Sequence, residues 1–544
     1  MTFPNVTWRD IYNYYYQRGL KSFVINSISN IVIGLFIAFS PVFLFRCIDI
    51  SKIDTATKIS DVIRPLSEGW KRSNLFIECC VVIFSLYVLI QILQFAYTLP
   101  SFIRIRKYFK ETLEIKDVDL YVLDWIEILD AIAQKDNTVR ISSLEIAQEI
   151  LRIENYITAF VTDPEILTWK LPYMNQACHF PMTQFFFYIF QISLNGTVMD
   201  SSGASIVSEI PEIRLPQVRD SLTKRFKVIG FILFLISPFY LAFQALYLIF
   251  HYFQSVKSSP SSLSMRRWSP EAKWAIREYN ELPHLFNERL QRSDYFSNLY
   301  IDQFPPDAFQ TVYKLICFLC GSFIAYFIFI GLFSDVSIVF GTLIGQKSIV
   351  WVMALFATIF SVFNGMIKKK KKSKDSLELY EEIRKYIHYD FTDENHNAIS
   401  WEAQSKFTEF FQPLWLHIII ELCGCIINPV VFTFVLPLHS EKIIDFVRKN
   451  SVRNENIGWI CRFSNFEDVI NGGNVAQNGK IKRSISNFKL YGQQSIRKDP
   501  SNLIQFDADE MQALVDSNQP AATLMEPSLT DVRSMLPPPS SPRF

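Results

Sequence analysis

The sequence predicts an all-α polytopic membrane protein: four transmembrane helices and two re-entrant membrane segments, joined to cytosolic helical domains. Three observations carry that prediction. Phenylalanine contributes 49 of the 544 residues, 49% of the chain is apolar and only 20% is charged, a balance suited to many residues in hydrocarbon. Six long apolar runs are separated by polar blocks. Lys and Arg cluster beside the runs rather than inside them, which orients spans with their basic ends in the cytosol. The net charge of +1 argues against a nucleic-acid partner.

Residues 1–22 are polar and Tyr-rich, a cytosolic N-terminal segment with no cleavable signal pattern. Residues 23–99 read as the first transmembrane hairpin, with runs over 23–45 and 75–99. Each exceeds the ~20 residues that cross a bilayer. Arg104, Arg106, Lys107 and Lys110 follow the second run and place its end in the cytosol. Residues 100–225 read as a cytosolic helical domain, with helical periodicity over 119–133 and 141–160. The apolar segment 185–194 is too short to span. The sequons at Asn5 and Asn195 fall on the cytosolic side, so neither is expected to carry glycan.

The run over 226–253 has Ser237-Pro238 at its middle and basic residues on both flanks: Lys224, Arg225 and Lys227 before, Lys257, Arg266 and Arg267 after. Two cytosolic ends and a central proline predict a re-entrant hairpin of two half-helices. The alternative is a kinked span that would invert everything downstream. Residues 312–367 read as the second transmembrane hairpin, closed by the dense run Lys368–Lys372 and Lys374. That run is a stop-transfer anchor and a secondary candidate for anionic headgroups. Residues 368–413 are a cytosolic basic and helical region. The run over 414–437 contains Asn428-Pro429 and is followed by Lys442, Arg448 and Lys449, so it reads as a second re-entrant segment. Its Glu421 is either a functional intramembrane acid or a hydrogen-bond partner for a helix end. Residues 438–469 form a cytosolic C-terminal core. Residues 470–544, rich in Asn, Gly, Ser and Pro, read as a disordered tail.

Residues 254–311 form a cytosolic amphipathic region between apolar runs. Ser269-Pro270-Glu271 is a helix start, with an N-cap hydroxyl, a proline at N1 and an acid in the first turn. Ala275, Tyr279, Leu282, Phe286 and Leu290 then recur at helical spacing, while Glu271, Glu278, Glu281, Glu288 and Arg292 take the opposite, hydrated face. Pro283 should kink this helix or end it at Leu282.

Metal and nucleotide chemistry find little footing. Cys317 and Cys320 form a C-x-x-C with no second pair. His388, Asp390, Asp393 and His396 match no ligand frame and read as a surface turn. Residues 341–347 lack the phosphate-loop spacing. No catalytic constellation emerges, so an enzyme and a cofactor are not expected.

Arg277-Glu278-Tyr279-Asn280-Glu281-Leu282, then His284, Phe286 and Arg289-Leu290, then Tyr300-Ile301-Asp302-Gln303-Phe304-Pro305, resemble the central signature of the autophagy-related protein 9 family. Glu154-Asn155-Tyr156, Gly321-Ser322, Leu436, Ile443-Ile444-Asp445-Phe446, Cys461 and Phe463 extend the resemblance over most of the chain. Two departures stand out. His388-Tyr389 is followed by Asp390-Phe391 where members carry a proline and a tryptophan, and Ile420 replaces one of a Glu pair.

The resemblance implies a domain-swapped homotrimer with a central pore and lateral openings, and cytosolic termini. It implies ATP-independent scrambling of phospholipids during autophagosome formation. It also implies residence on Golgi-derived vesicles, the preautophagosomal structure and endoplasmic reticulum contacts. A bridge-like lipid-transfer protein and other autophagy-initiation factors are the implied partners. On that reading Lys273, Arg277, Glu278, Asn280, Glu281, His284 and Arg289 are headgroup contacts, and Thr358, Ser361 and Asn364 line an adjoining wall. A membrane scaffold that recruits partners without scrambling, and an ion-coupled transporter with broken helices, are the alternatives.

Overall fold

A computed structural model describes residues 6–49, 62–135, 142–163, 169–170, 177–178, 182–258, 265–304, 308–333, 342–344, 347–367, 376–392, 398–466 and 479–492. The Lys-rich run, Asn5, Gly341, Gly345, Asp393, His396 and the tail beyond Gly492 lie outside these residues. The described fold is mostly helical, with only two-stranded ladders beside the helices.

The N-terminal helix α1 (Trp8–Tyr16) is opened by a capping box between Thr7 and Asp10. Helix α2 (Gly19–Val42), the short α3 (Leu66–Lys71) and α4 (Leu75–Tyr108) follow. Helices α2 and α4 pair as predicted: Phe23 stacks on Phe102 at 4.2 Å, and Gly34 leaves room for Val88. Pro100 does not stop α4, which runs on past the expected boundary. Helices α5 (Trp125–Lys135), α6 (Ser143–Ile150) and α7 (Arg152–Thr162) lie at the predicted positions between the apolar runs. Helix α8 (Gln184–Leu194) is the short apolar segment, and Phe186, Phe187 and Phe190 bury it in the largest core.

Helix α9 (Leu215–Ser258) corrects one expectation. It is a single helix through Pro238, not two half-helices. One proline removes one backbone donor and crowds one carbonyl, which bends a helix but does not reverse it. Packing holds α9 straight on. Helix α16 (Leu414–Val430) lies antiparallel along it, with Ser237 donating to the Cys425 carbonyl at 2.6 Å and Gly230 against Thr433. The second predicted reversal is absent for the same reason. Past Pro429 the backbone widens into a π turn, Val431–Val435, with Thr433 Oγ1 donating to the Pro429 carbonyl at 2.8 Å. It then continues through a 3₁₀ turn into α17 (Ser440–Lys449).

The signature region gives α10 (Pro270–Ile276) and α11 (Pro283–Gln303). Strand Arg266–Trp268 pairs antiparallel with Phe411–Pro413 and ties the region to the start of α16. Helices α12 (Ala308–Phe333) and α13 (Ile349–Met366) form the second hairpin. They pack on each other and make no extended contact with the other apolar helices among the described residues. Helices α14 (Ser376–Ile387) and α15 (Trp401–Phe410) surround Tyr300 and Phe407 in a third core. Among the described residues five helical stretches are long and apolar enough to cross a membrane, in the α2, α4, α9, α12 and α16–α17 regions; Val350–Gly365 is shorter.

The last described helix, α18 (Gly479–Gly492), corrects the expectation of disorder from 470 onward. Ile481, Ile485 and Phe488 form a stripe at helical spacing that docks on the largest core. Ile481 is fully buried, so Ile481→Asp is expected to release α18. Hydrogen exchange over 479–492 would then rise to the level of an open segment. Unchanged protection would mean the helix is held from elsewhere.

Candidate functional site

The signature stretch folds differently from a hydrated helical face. Ser269 caps α10 as the sequence predicts, its Oγ accepting from the Ala272 N–H at 3.1 Å. The helix then stops at Ile276, six residues before Leu282. Arg277 is extended and Asn280 adopts a left-handed backbone, φ 60°, where Asn is among the few tolerated side chains. Residues 277–282 are therefore a buried irregular segment, and each of its N–H groups needs a partner.

Some of those partners are local and two come from distant elements. The Glu278 N–H donates to Glu281 Oε2 at 3.0 Å, the Tyr279 N–H to Ser484 Oγ of α18 at 3.1 Å, and the Asn280 N–H to Asn155 Oδ1 of α7 at 3.0 Å. The Asn155 amide returns a bond to Asn280 Oδ1 at 3.0 Å, and Asn280 Nδ2 donates to the Ser464 carbonyl at 2.8 Å. This reciprocal amide pair fixes α7, the signature and the C-terminal core together.

Charge is buried in the same knot. Glu278 and Asn280 are 2% exposed, Glu281 5%, Arg277 and Arg289 8%. Arg289 grips Glu281 in a bidentate fork, with Nε–Oε1 and Nη2–Oε2 both at 2.7 Å, the strong planar geometry for this pair. It also donates to the carbonyls of Ile276 and Tyr386. Arg277 Nη2 donates to the Glu281 carbonyl at 3.2 Å. Burial pushes the Glu278 carboxyl up. His388, with Nδ1 3.3 Å away, the Lys480 and Arg289 charges and the Ser484 hydroxyl outweigh that and hold it below its usual range. Burial lowers Lys480 to about 8, and its ammonium donates to the Ala275 carbonyl at 2.9 Å and Thr162 Oγ1 at 3.0 Å. Outside the knot, burial lowers His284 to about 4. It is neutral at pH 7, with Nδ1 2.9 Å from the Tyr12 hydroxyl.

This arrangement corrects the expected solvated face. Of the seven signature candidates, Arg277, Glu278, Asn280, Glu281 and Arg289 are joined in one buried network, His284 is in a separate contact with α1, and Lys273 alone is exposed. A cavity of about 640 Å³ adjoins the knot, walled by Glu278, His388, Tyr389, Lys480 and Arg483 among others. Sequence reasoning missed Asn155, Ser464, Lys480 and Ser484. The signal within reach was the Ile481/Ile485/Phe488 stripe, which marks α18 as a folded wall.

The other candidates separate into two places. Glu421 Oε1 accepts from the Gln184 N–H, the first of α8, at 3.2 Å, and Asn428 Nδ2 reaches the α8 cap residue Thr183 at 3.3 Å. Of its two readings, the helix-end bond is the one the geometry gives. On α13, Val352, Phe356, Phe360 and Phe363 face α12, touching Phe327, Phe323, Gly321 and Tyr313. At about 100° per residue, Thr358 and Ser361 fall on the opposite side and Asn364 on the flank next to Phe360, with Thr358 and Asn364 exposed and Ser361 half-buried. Thr358 Oγ1 folds back onto the Ala354 carbonyl at 2.8 Å.

The family model for autophagy protein ATG9 matches residues 7–467. The chain belongs to the ATG9 family. It is 28% identical to autophagy-related protein 9 of Saccharomyces cerevisiae over 472 residues, covering 84% of this chain and 47% of that protein. The Dictyostelium discoideum homologue is 27% identical over 505 residues, covering 88% of this chain and 71% of its own. The chain spans about half the length of the first of these relatives. The cryo-EM structure of Schizosaccharomyces pombe Atg9 shares the fold, with a TM-score of 0.62 at 23% identity, covering 84% of this chain and 97% of that one. Helix α18 begins beyond the stretch that the ATG9 model matches.

Proposed function

We propose that this ATG9-family chain moves phospholipids between leaflets without ATP during autophagosome formation. The supporting observation is the polar run of Thr358 and Ser361 on the side away from the partner helix α12, continued by Asn364 on the flank of an otherwise apolar helix. A headgroup crossing bare hydrocarbon loses its water and costs many kcal/mol. Hydroxyl and amide groups along one face replace part of that water while the acyl tails stay in lipid. The motion is downhill, so no nucleotide, cofactor or catalytic residue is required.

The working unit we propose is a domain-swapped homotrimer with cytosolic termini. A hairpin α12–α13 that makes no extended contact with the other apolar helices among the described residues supports this reading, because its outer faces are left for a second copy. The proposed site of action is Golgi-derived vesicles, the phagophore and endoplasmic reticulum contacts. There a bridge-like lipid-transfer protein and other initiation factors would supply lipid for redistribution.

The test is reconstitution in vesicles with headgroup-labelled lipid and a membrane-impermeant quencher. The native chain is expected to expose the inner-leaflet label. The triple variant Thr358→Leu, Ser361→Leu, Asn364→Leu should slow that exchange at least tenfold, with trimer retained by mass photometry. A native chain that leaves label asymmetry intact would leave the scaffold and ion-coupled transporter readings, which ion flux in the same vesicles separates, and exchange unchanged in the triple variant would put the lipid path elsewhere.

A further inference from the structure

One exposed apolar patch outside the membrane helices sits where a bilayer surface has to be. The turn after α4 carries Val118, Tyr121 and Val122 at 74%, 61% and 85% exposure, while Leu120 between them is buried in the N-terminal core. A turn of this length normally exposes polar groups, and three large apolar side chains in a row of five positions are an uncovered patch.

The position of the turn is fixed by α2. Tyr121 Oη lies 2.8 Å from Ser22 Oγ, and Arg18 donates to the Leu120 carbonyl. Ser22 is the last polar residue before the apolar run of α2, and Ile25 one turn on, about 4.5 Å further along the axis, is exposed. On α4, Phe102 stacks on Phe23 at the same level, and Arg104, Arg106 and Lys107 follow it. Arg106 is held to Asp117, the residue before Val118, at 3.3 Å. The patch therefore lies at the level where the apolar run of α2 begins, with Arg18 bound to its backbone and Asp117, Asp119 and Asp124 in the same segment. Apolar and aromatic groups at that depth, with cations beside them, are the composition of an interfacial anchor.

We propose that the turn 118–122 inserts Val118, Tyr121 and Val122 into the headgroup layer of the leaflet from which α2 and α4 emerge. This rests on α2 and α4 being membrane helices and is independent of lipid exchange. A second protein covering the patch is the competing occupant.

Photo-crosslinking separates the two. A benzophenone amino acid is placed at Val122 in the full chain, reconstituted in vesicles of phosphatidylcholine and phosphatidylserine, with the same replacement at Ile25 as the lipid-facing reference. Lipid adducts at Val122 within about threefold of those at Ile25 are expected. An adduct to protein alone, or none at Val122 while Ile25 labels lipid, would overturn the proposal. A variant that fails to fold is recognised by loss of the Ile25 adduct in a chain carrying both replacements, in which case Val118 replaces Val122 as the probe and the same two outcomes decide.

Discussion

Arg289→Leu is expected to lower stability by about 3–5 kcal/mol, the cost of leaving one partner of a buried ion pair unmatched. Glu281 would lose its bidentate fork and keep the Glu278 N–H, at 3.0 Å, and the neighbouring Arg277 charge. The carbonyls of Ile276 and Tyr386 would lose a donor as well. The effect should spread, because the same segment ties α7, α11, α14 and α18 together. A thermal melt in detergent should show a large fall in the midpoint. Hydrogen exchange should rise over 277–282 and 479–492 in step. The double variant Glu281→Leu, Arg289→Leu removes both charges and should recover part of the loss, since an apolar pair of similar size often replaces a buried ion pair at little cost. A single variant as stable as the native chain would show that the pair does not hold the knot.

Gly230→Ala is expected to be the most damaging small substitution in the apolar part of the chain. A Cβ at Gly230 would stand 2.6 Å from the Thr433 backbone nitrogen and 2.9 Å from the Phe432 carbonyl carbon. Backbone cannot swing aside as a side chain can, so α9 and α16 would have to separate. Overpacking of this kind costs about 1–3 kcal/mol, and here the Ser237–Cys425 bond at 2.6 Å and the Thr223–Ser440 bond at 3.1 Å lie along the same seam. Gly321→Ala is the matched control. Its Cβ would meet Phe360 at 3.6 Å, an ordinary contact, and its melting midpoint should stay near native. Equal midpoints for the two variants would mean the α9–α16 crossing is loose.

The apolar helices were legible because length and composition are local. A run such as 312–333 cannot be satisfied in water, and its length alone fits a bilayer. The Ser269 cap, the predicted helices of the cytosolic block and the pairing of α2 with α4 follow from similarly short-range rules. The two predicted reversals failed because a proline within an apolar run has two outcomes, a bend or a break. The choice depends on what packs beside it: Gly230 against Thr433 decides it for α9, and the π turn decides it for the segment after Pro429.

By itself the sequence determined which segments are apolar helices, where the central signature lies and that the chain resembles the ATG9 family. Only the tertiary structure decided what the charged residues of that signature do. Their spacing is that of a helix with a wet face, and Pro283 limits that helix only at its end. The partners that turn Arg277–Leu282 into a buried irregular segment are Asn155, Ser464 and Ser484, more than a hundred positions away. A backbone N–H donates to either a helical carbonyl or a side-chain oxygen at nearly equal energy, so the choice rests on which oxygen the rest of the fold delivers.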